Sequence, residues 1–192
     1  MAVTRPRVGI SRCLLGEDVR YDGTHKLDAA LIAALAPHVE WVPVCPEVEV
    51  GMGTPREPIQ LVAREDGVPS AGARVRLLGV TSGDDWTARM HAWAHARADA
   101  LRRLQLSGFI LKARSPSCGI RDVRIECGPP KGGHYVRSVR LQPDQGQPDQ
   151  GRGLFAQAII DAMPDLPVAD EDELRDPATL GEFLTRIRGV RL

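Results

Sequence analysis

The sequence predicts an α/β fold: a single domain in three layers, with a mainly parallel, Rossmann-like sheet between helices. Short apolar segments typical of buried strands alternate with longer segments whose apolar residues recur at helical spacing, as in parallel α/β proteins. In addition, three of the strand segments are followed closely by a cysteine, at Cys13, Cys45 and Cys118. Parallel strands would bring these cysteine loops to the C-terminal edge of the sheet, where such folds bind their ligands.

The strands are predicted from short apolar segments bounded by turn-forming residues. They cover, in chain order, residues 7–11, 41–44, 59–62, 75–78, 108–111, 123–125, 135–141 and 166–168. The third and fourth strands are joined through Asp66-Gly67, which predicts a hairpin at the margin of the sheet.

The helices are predicted from apolar residues that recur at helical spacing. They cover residues 27–35, about 86–106, 154–163 and 180–187. The second helix follows Ser82-Gly83-Asp84-Asp85, which supplies N-cap residues. His91 and His95 lie four residues apart on this helix and could form a metal pair. Because no third ligand is suggested nearby, we interpret them as solvated side chains.

The remaining segments are predicted as loops. Residues 50–58 are rich in Gly and Pro and should form an ordered loop over the edge that carries the cysteines. Residues 142–151 repeat Gln-Pro-Asp-Gln-Gly twice without an apolar residue, which predicts a mobile, dispensable loop. We interpret residues 164–192 as a C-terminal extension of one domain that covers residues 1–192.

Composition excludes several functional classes. Lys and Arg number 25, as do Asp and Glu, so the formal net charge is zero, unlike that of a dedicated nucleic-acid-binding domain. An aromatic content of 4% does not favour a surface of stacking platforms. No apolar run approaches the ~20 residues of a membrane span, and the N-terminal residues do not resemble a secretory signal. We therefore expect a cytoplasmic protein without a membrane partner.

Three thiols on three loops favour a metal centre. Catalysis by a simple thiol needs one cysteine and a base, usually His, whereas the histidines here are scattered. Zinc would accept three cysteines with a water or a fourth ligand, and Glu47 could then serve as a base. An iron–sulfur cluster normally takes four thiolates, so three would leave one iron open as a Lewis acid. Residue chemistry alone ranks zinc and an iron–sulfur cluster equally. The fourth cysteine, Cys127, lacks the local sequence that surrounds the other three, so we interpret it as a core residue.

Three separated motifs resemble those of the thiouracil desulfidase (TudS) family. The first covers residues 10–26, Ile-Ser-Arg-Cys-Leu-Leu-Gly-Glu-Asp-Val-Arg-Tyr-Asp-Gly-Thr-His-Lys. The second covers Val-Cys-Pro-Glu-Val-Glu at residues 44–49, with Gly51 and Thr54-Pro55-Arg56 beyond it. The third is Leu-Lys-Ala-Arg-Ser-Pro-Ser-Cys-Gly at residues 111–119. All three occur in the family's order, so the resemblance extends from about Val8 to Arg124.

Later residues resemble one variant of this family. Residues 151–156, residues 166–177 and Phe183 are similar to the form that is usually fused to a second helical domain and is associated with desulfurising thiouridine in tRNA. The sequence ends at Leu192 without that domain. We therefore expect a small thiolated pyrimidine as the substrate, either 2-thiouracil or 2-thiouridine, with tRNA as the alternative partner.

The resemblance implies a [4Fe–4S] cluster held by Cys13, Cys45 and Cys118. The substrate sulfur would bind the open iron, water would attack C2, and sulfide would be released without net redox change. Glu47 would transfer protons, and Ser117 is the second predicted catalytic residue.

The same resemblance suggests four substrate-binding residues, namely Asp22, Arg56, Lys112 and Ser115. Each candidate also has another interpretation. Glu47 could simply pair with Arg56, and the serines could cap their turn. Lys112 could balance the charge of the cluster, and Asp22 and Arg56 could brace the loops through ion pairs. Two other functions stay open: a non-catalytic module that binds metal or a cluster, and a tRNA-desulfurising subunit that needs a separate RNA-binding partner.

Overall fold

Four parallel strands form the main sheet of the computed structural model, which describes residues 5–63, 75–127 and 151–189. The strands are β1 (Arg7–Ser11), β2 (Glu40–Val44), β5 (Gly108–Leu111) and β7 (Val168–Asp170), in the spatial order β2-β1-β5-β7. All three pairings in this sheet are parallel. Their carboxyl ends therefore lie at one edge, as the sequence predicts.

Side chains of the central strands alternate between the two faces of the sheet. Phe109 and Leu111 pack in one apolar cluster, whereas Ile110 packs in a second cluster with Val8 and Ile10. All five side chains are fully buried. Strands buried on both faces read as continuous apolar runs, which is why β1 and β5 are recognisable in the sequence.

Helices cover both faces. Helix α3 (Thr87–Arg103) and helix α4 (Leu154–Ala162) contribute to the first cluster. Helix α1 (Ala29–Leu35) and helix α5 (Pro177–Gly189) contribute to the second. The arrangement of helices, parallel sheet and helices confirms the predicted three-layer α/β fold.

A second sheet corrects the position predicted for the hairpin strands. Strands β3 (Ile59–Ala63) and β4 (Arg76–Gly79) pair antiparallel as predicted, but they form a separate sheet with β6 (Ile125–Cys127) in the order β4-β3-β6. Their apolar side chains pack with Met90 of α3 in a third cluster. The edge strand β2 of the main sheet carries Pro43, which has no N–H to donate to a further strand.

Several boundaries differ from the predicted ones for local reasons. Helix α1 begins at Ala29 because the Asp28 side chain accepts a hydrogen bond from Leu31 N at 3.1 Å and caps it. Helix α3 ends at Arg103, and Gln105 beyond it adopts a left-handed φ of 53°. Strand β7 lies two residues later than predicted, since Phe109 pairs with Val168.

The segment around Gly151 is partly outside the described residues. The predicted strand 135–141 and residues 142–150 of the repeat belong to the part that is not described. Gly151 is described, and its carbonyl oxygen accepts a hydrogen bond from Val123 N at 3.0 Å. It is buried, so this last repeat residue is anchored and the predicted mobile loop cannot include it. Val123 makes only this bridge, and the strand predicted there begins at Ile125.

Residues 164–189 contribute β7 and α5 to the main fold, with a 3-10 turn, Glu173–Arg175, between them. The carboxylate of Asp176 accepts hydrogen bonds from the backbone N–H and the hydroxyl of Thr179. It thereby caps the N-terminus of α5, which begins at Pro177. Among the helices of the described ranges, none has the length and apolar character needed to cross a membrane.

Candidate functional site

Each of the three predicted ligand cysteines follows a different parallel strand. Cys13 lies in the 3-10 turn Arg12–Leu15 after β1, Cys45 follows β2 directly, and Cys118 lies in the turn after β5. Since β1 lies between β2 and β5, the three loops are neighbours at the carboxyl edge of the main sheet. The structure thus brings the three cysteine-bearing loops together at the predicted edge.

The three thiols are close enough to influence one another electrostatically. Burial raises the pKa of Cys13 to about 11, and Cys45 adds to this rise. Burial also raises the pKa of Cys118 strongly, with further contributions from Glu47, Cys45 and Cys13. The pKa of Cys45 is raised as well, again first by burial. Cys45 thus raises the pKa of both other thiols, and Cys13 also raises that of Cys118.

We looked for a site for a single metal ion in residues 5–63, 75–127 and 151–189. No three His, Cys, Asp or Glu side chains there are arranged to hold one ion. The ligands of a zinc ion lie within about 2.3 Å of it and hence close to one another. The described residues therefore contain no preformed shell for a single ion.

Cys45 lies at the start of a short helix that the sequence analysis did not predict. Helix α2 (Pro46–Glu49) begins with Pro46, a residue favoured at the first helical position. The Glu49 carboxylate accepts a hydrogen bond from Cys45 N at 3.1 Å and lies 3.1 Å from Nε of Arg97. The Cys45 sulfur lies 3.8 Å from the carbonyl oxygen of Val19. Contacts on both sides thus fix this cysteine.

Glu47 connects two of the loops. One of its carboxylate oxygens pairs with Arg56, at 3.0 Å from Nε and 2.5 Å from Nη2. The other accepts a hydrogen bond from the Ser117 hydroxyl at 2.6 Å. The Arg56 and Glu47 side chains are only 6% and 14% exposed to solvent. The two predicted catalytic residues are therefore in direct contact, and the Glu47–Arg56 pair considered as the structural interpretation is also present.

The third loop is a tightly bonded turn. Ser115 Oγ accepts from the backbone N–H groups of Ser117 and Cys118 at 3.3 and 3.2 Å, and it lies 3.0 Å from Ser117 Oγ. The Ser117 carbonyl oxygen accepts from Phe155 N and Ala156 N at 3.0 and 3.1 Å. The first N–H groups of α4 therefore hold the backbone that presents Cys118.

Gly153, the N-cap of α4, makes this contact possible. A Cβ atom added at Gly153 would lie 2.8 Å from Cys118 N and closer still to the Ser117 carbonyl group. These are backbone atoms, which cannot move aside as a flexible side chain can. Only glycine lets the helix approach the turn this closely.

The predicted substrate-binding residues all have protein partners. Asp22 accepts from the Thr24 hydroxyl at 2.6 Å and pairs with Arg20 at 3.2 Å. The ammonium of Lys112 pairs with Glu171 and lies 3.2 Å from the carbonyl oxygen of Ala113. Arg56 holds Glu47 as described. These contacts show how the loops are braced, and the predicted role in substrate binding stays a prediction.

Two residues at this edge were not anticipated, Ser11 and Glu171. Ser11 is buried, and its hydroxyl accepts from Lys112 N at 3.0 Å. Glu171 is 3% exposed and accepts from Ala113 N at 2.7 Å. Glu171 follows a strand closely, as the cysteines do, and this position was a signal in the sequence.

The fourth cysteine and the histidine pair lie elsewhere. The backbone of Cys127 belongs to β6 of the second sheet, where it pairs with Ala63. His91 and His95 are exposed on α3, with ring centroids 6.3 Å apart. Burial and His95 lower the pKa of His91.

Comparison with known proteins agrees with this arrangement. A model of the 2-thiouracil desulfurase family matches residues 8–171. The uncharacterized protein YbbK of Bacillus subtilis (strain 168) is 32% identical over 111 residues, which are 57% of this chain and 71% of that protein. The structure of the [4Fe-4S]-dependent thiouracil desulfidase TudS superposes with a TM-score of 0.58 at 25% identity, over 93% of this chain and 99% of that chain. The chain therefore belongs to the 2-thiouracil desulfurase family.

Proposed function

We propose that this protein is a desulfidase that removes the sulfur of a 2-thiopyrimidine, 2-thiouracil or 2-thiouridine, and releases it as sulfide. The observation that carries the proposal is the convergence of three cysteine loops beside a hydrogen-bonded Glu47–Ser117 pair. The family match and the likeness to TudS support the same chemistry. We place the protein in the cytoplasm.

The donor set fits a [4Fe–4S] cluster bound by Cys13, Cys45 and Cys118. Such clusters take cysteine thiolates, and the thiols lose their protons on binding. Burial raises the pKa of Cys13 and of Cys45, but Lys112 acts against the first rise and Arg56 against the second. When bound, the cluster would supply one iron without a protein ligand, a Lewis acid for the thiocarbonyl sulfur.

Glu47 would accept and donate the protons of the reaction. Water adds its oxygen to C2, the C–S bond breaks, and the sulfur leaves as sulfide with the two protons of that water, so no electrons are exchanged. A carboxylate can accept the proton of the attacking water and return it to the departing sulfur. Ser117 orients Glu47 from one side and Arg56 from the other. Ser117 is thus a positioning partner of the proton-transfer group.

Asp22, Arg56, Lys112 and Ser115 would act on substrate mainly through the loops that they brace. Each is bonded to a neighbouring protein group, which limits its freedom to bind a ligand directly. A small thiolated pyrimidine is the partner that we propose. Thiolated tRNA is the alternative, and the assay below distinguishes the two.

The test begins with anaerobic reconstitution of the chain with iron and sulfide. Bound iron and acid-labile sulfide are then measured, together with sulfide release from 2-thiouracil, 2-thiouridine and thiolated tRNA. Activity on the free base or nucleoside identifies a small-molecule enzyme, whereas activity on tRNA alone indicates the alternative. A chain that binds the cluster but releases no sulfide from any of them would be a non-catalytic module.

Cysteine variants give the matched comparison. Cys45→Ala should abolish both cluster binding and turnover, since two thiolates cannot hold the cluster that three hold. Cys127→Ala removes the cysteine whose backbone lies in the second sheet and should leave both intact. Loss of the cluster in Cys127→Ala would show that the ligand set is wrong.

A further inference from the structure

A partly buried ion pair lies at the edge of the site beside the fourth strand. Lys112 follows β5 and Glu171 follows β7, the two strands on the side of the sheet away from Cys45. The Glu171 carboxylate bonds to the Lys112 ammonium with one oxygen and to Ala113 N with the other. Only 4% of the Glu171 side chain is exposed, so both of its oxygens are committed inside the protein.

The pair lies beside the loop of Cys13. The backbone N–H of Lys112 donates to Ser11 Oγ at 3.0 Å, and Ser11 lies two residues before Cys13. Strand β1 also pairs in register with β5, as Ile10 lies opposite Ile110.

A lysine side chain would not stay at this position without a partner. It has four rotatable bonds and a strongly hydrated charge, and it moves toward water unless it is bonded. Here 22% of the Lys112 side chain is exposed, so water is within its reach. The Glu171 carboxylate, fixed by Ala113 N, supplies the bond that keeps the ammonium in the site.

We propose that Glu171 is a positioning residue that holds the Lys112 ammonium beside the Cys13 loop as a fixed positive charge for the sulfide-releasing site. The inference rests on the proposed function for the identity of the site. A fixed cation there would favour the negative charge that accumulates on the departing sulfur. Lys112 would then act on charge within the site and not as a direct ligand of the pyrimidine.

The reduction potential of the reconstituted cluster measures this local charge. Lys112→Met removes the cation and should shift the potential to more negative values, because a positive charge stabilises the reduced cluster. Glu171→Gln should let the ammonium move toward water, so the effect of the cation is lost as well. Its potential should therefore match that of the double variant, in which both charges are absent. If Lys112 kept its place without Glu171, Glu171→Gln would instead shift the potential to more positive values.

Asp172→Asn is the matched control. It removes the same charge one residue further along, but a third of the Asp172 side chain is exposed and its partner Arg114 is 68% exposed. Solvent screens such charges, so the potential should change much less than in Lys112→Met. An equally large shift in Asp172→Asn would overturn the inference, as would a shift to more positive values in Glu171→Gln.

A second measurement does not depend on the cluster. If Glu171 holds Lys112, the losses of unfolding free energy in the cluster-free single variants should not add, and the double variant should lose less than their sum. Additive losses would refute the positioning role. A wild-type chain that binds no cluster would instead refute the proposed function, and the stability measurements alone would then decide whether Glu171 positions Lys112.

Discussion

Glu47 joins the loop of Cys45 to the loop of Cys118 through one carboxylate, and its proton-transfer role can be tested apart from its structural role. Glu47→Gln keeps nearly the same shape and an oxygen that can accept from Ser117. We expect full cluster binding, because Glu47 is not a ligand. Turnover should fall by about 10²-fold or more, the usual scale for the loss of a general acid–base group. Iron content and initial rates of sulfide release provide the measurement.

Glu40→Gln is the control for this substitution. Glu40 begins β2 at the opposite end of the strand and is exposed, so the same chemical change there should leave turnover unaltered. Wild-type turnover in Glu47→Gln with a full cluster would assign proton transfer to another group, and Glu49 and Asp22 are the next candidates. Loss of the cluster would instead show that Glu47 is a structural brace.

Glu57 gives stability a predictable dependence on pH. Its carboxylate accepts from the Ser82 hydroxyl and from the backbone N–H groups of Ser82 and Thr81 at 3.0 and 2.7 Å. The Ser82 hydroxyl is the largest cause that lowers the pKa of Glu57 below its ordinary value of 4.5. The contribution of Glu57 is therefore complete above pH 4.5 and is lost as the pH falls through the lower, folded-state pKa.

Wild type should consequently be more stable than Glu57→Gln near neutral pH, and the difference should shrink once the pH falls below 4.5. Urea unfolding of both chains across this range measures the difference. A constant difference at every pH would show that the variant loses packing and not a charged acceptor.

At the scale of elements, the approach of α4 to the Cys118 turn is the most demanding contact. Gly153→Ala places a methyl group against the Ser117 carbonyl and Cys118 N, so the turn or the helix must shift. We expect a loss of about 1–3 kcal/mol in unfolding free energy, the range for overpacking. Cluster binding should also weaken, since the displaced turn carries Cys118. Chemical denaturation and iron content measure the two effects.

Gly181→Ala is the matched control in another helix. Nothing lies within 4 Å of a Cβ atom added at Gly181 in α5. Alanine there should stabilise the chain by about 0.5–1 kcal/mol, because it favours helix more than glycine does. Equal stability of Gly153→Ala and wild type would show that the helix can approach the turn in another way.

The elements that sequence could predict are those whose environment is apolar on both faces. Strands β1 and β5 appear at their predicted residues, since Val8, Ile10 and Ile110 need a buried strand whatever their partners are. Helix α2 was missed because Pro46 and the glycines after it resemble a loop. The shift of β7 depends on pairing with Phe109, and such tertiary preferences override local patterns.

The candidate site was predictable to the extent that it follows strand ends. Cys13, Cys45 and Cys118 each come after a recognisable strand, so their common edge follows from a parallel sheet. The Glu47–Ser117 hydrogen bond joins residues 70 positions apart, and no local pattern encodes such a contact. The contacts of Glu171 were missed for the same reason, since its partners Lys112 and Ala113 follow β5, far away in the sequence.

At the scale of the whole molecule, the site exists only when three strands are assembled. A group that binds the cysteines that follow β1, β2 and β5 must therefore favour the folded chain over the unfolded one. Removal of the proposed cluster should lower the thermal midpoint, and a stabilisation of about 2 kcal/mol corresponds to about 4–8 °C in a chain of this size. Calorimetry before and after oxidative removal of iron measures the change.

Cys118→Ala is the control for that experiment. It lacks one ligand, so the treatment that removes iron should leave its midpoint unchanged. A decrease of the same size in this variant would show that the treatment damages the protein itself.

The strand order also has a consequence for the time at which the metal centre can be assembled during translation. Strand β1 leaves the ribosome first, yet its neighbour β5 begins only at Gly108, and the α4 N-terminus and Glu171 follow later still. A nascent chain stalled just after Gly119 has emerged exposes all three ligand cysteines without the elements that fix Cys118 and Lys112. We expect such a chain to retain no cluster, whereas one stalled after α5 has emerged should retain it. Insertion of iron and sulfur would then be a late step of biosynthesis, which leaves the early cysteines exposed to oxidation while the rest of the chain is made.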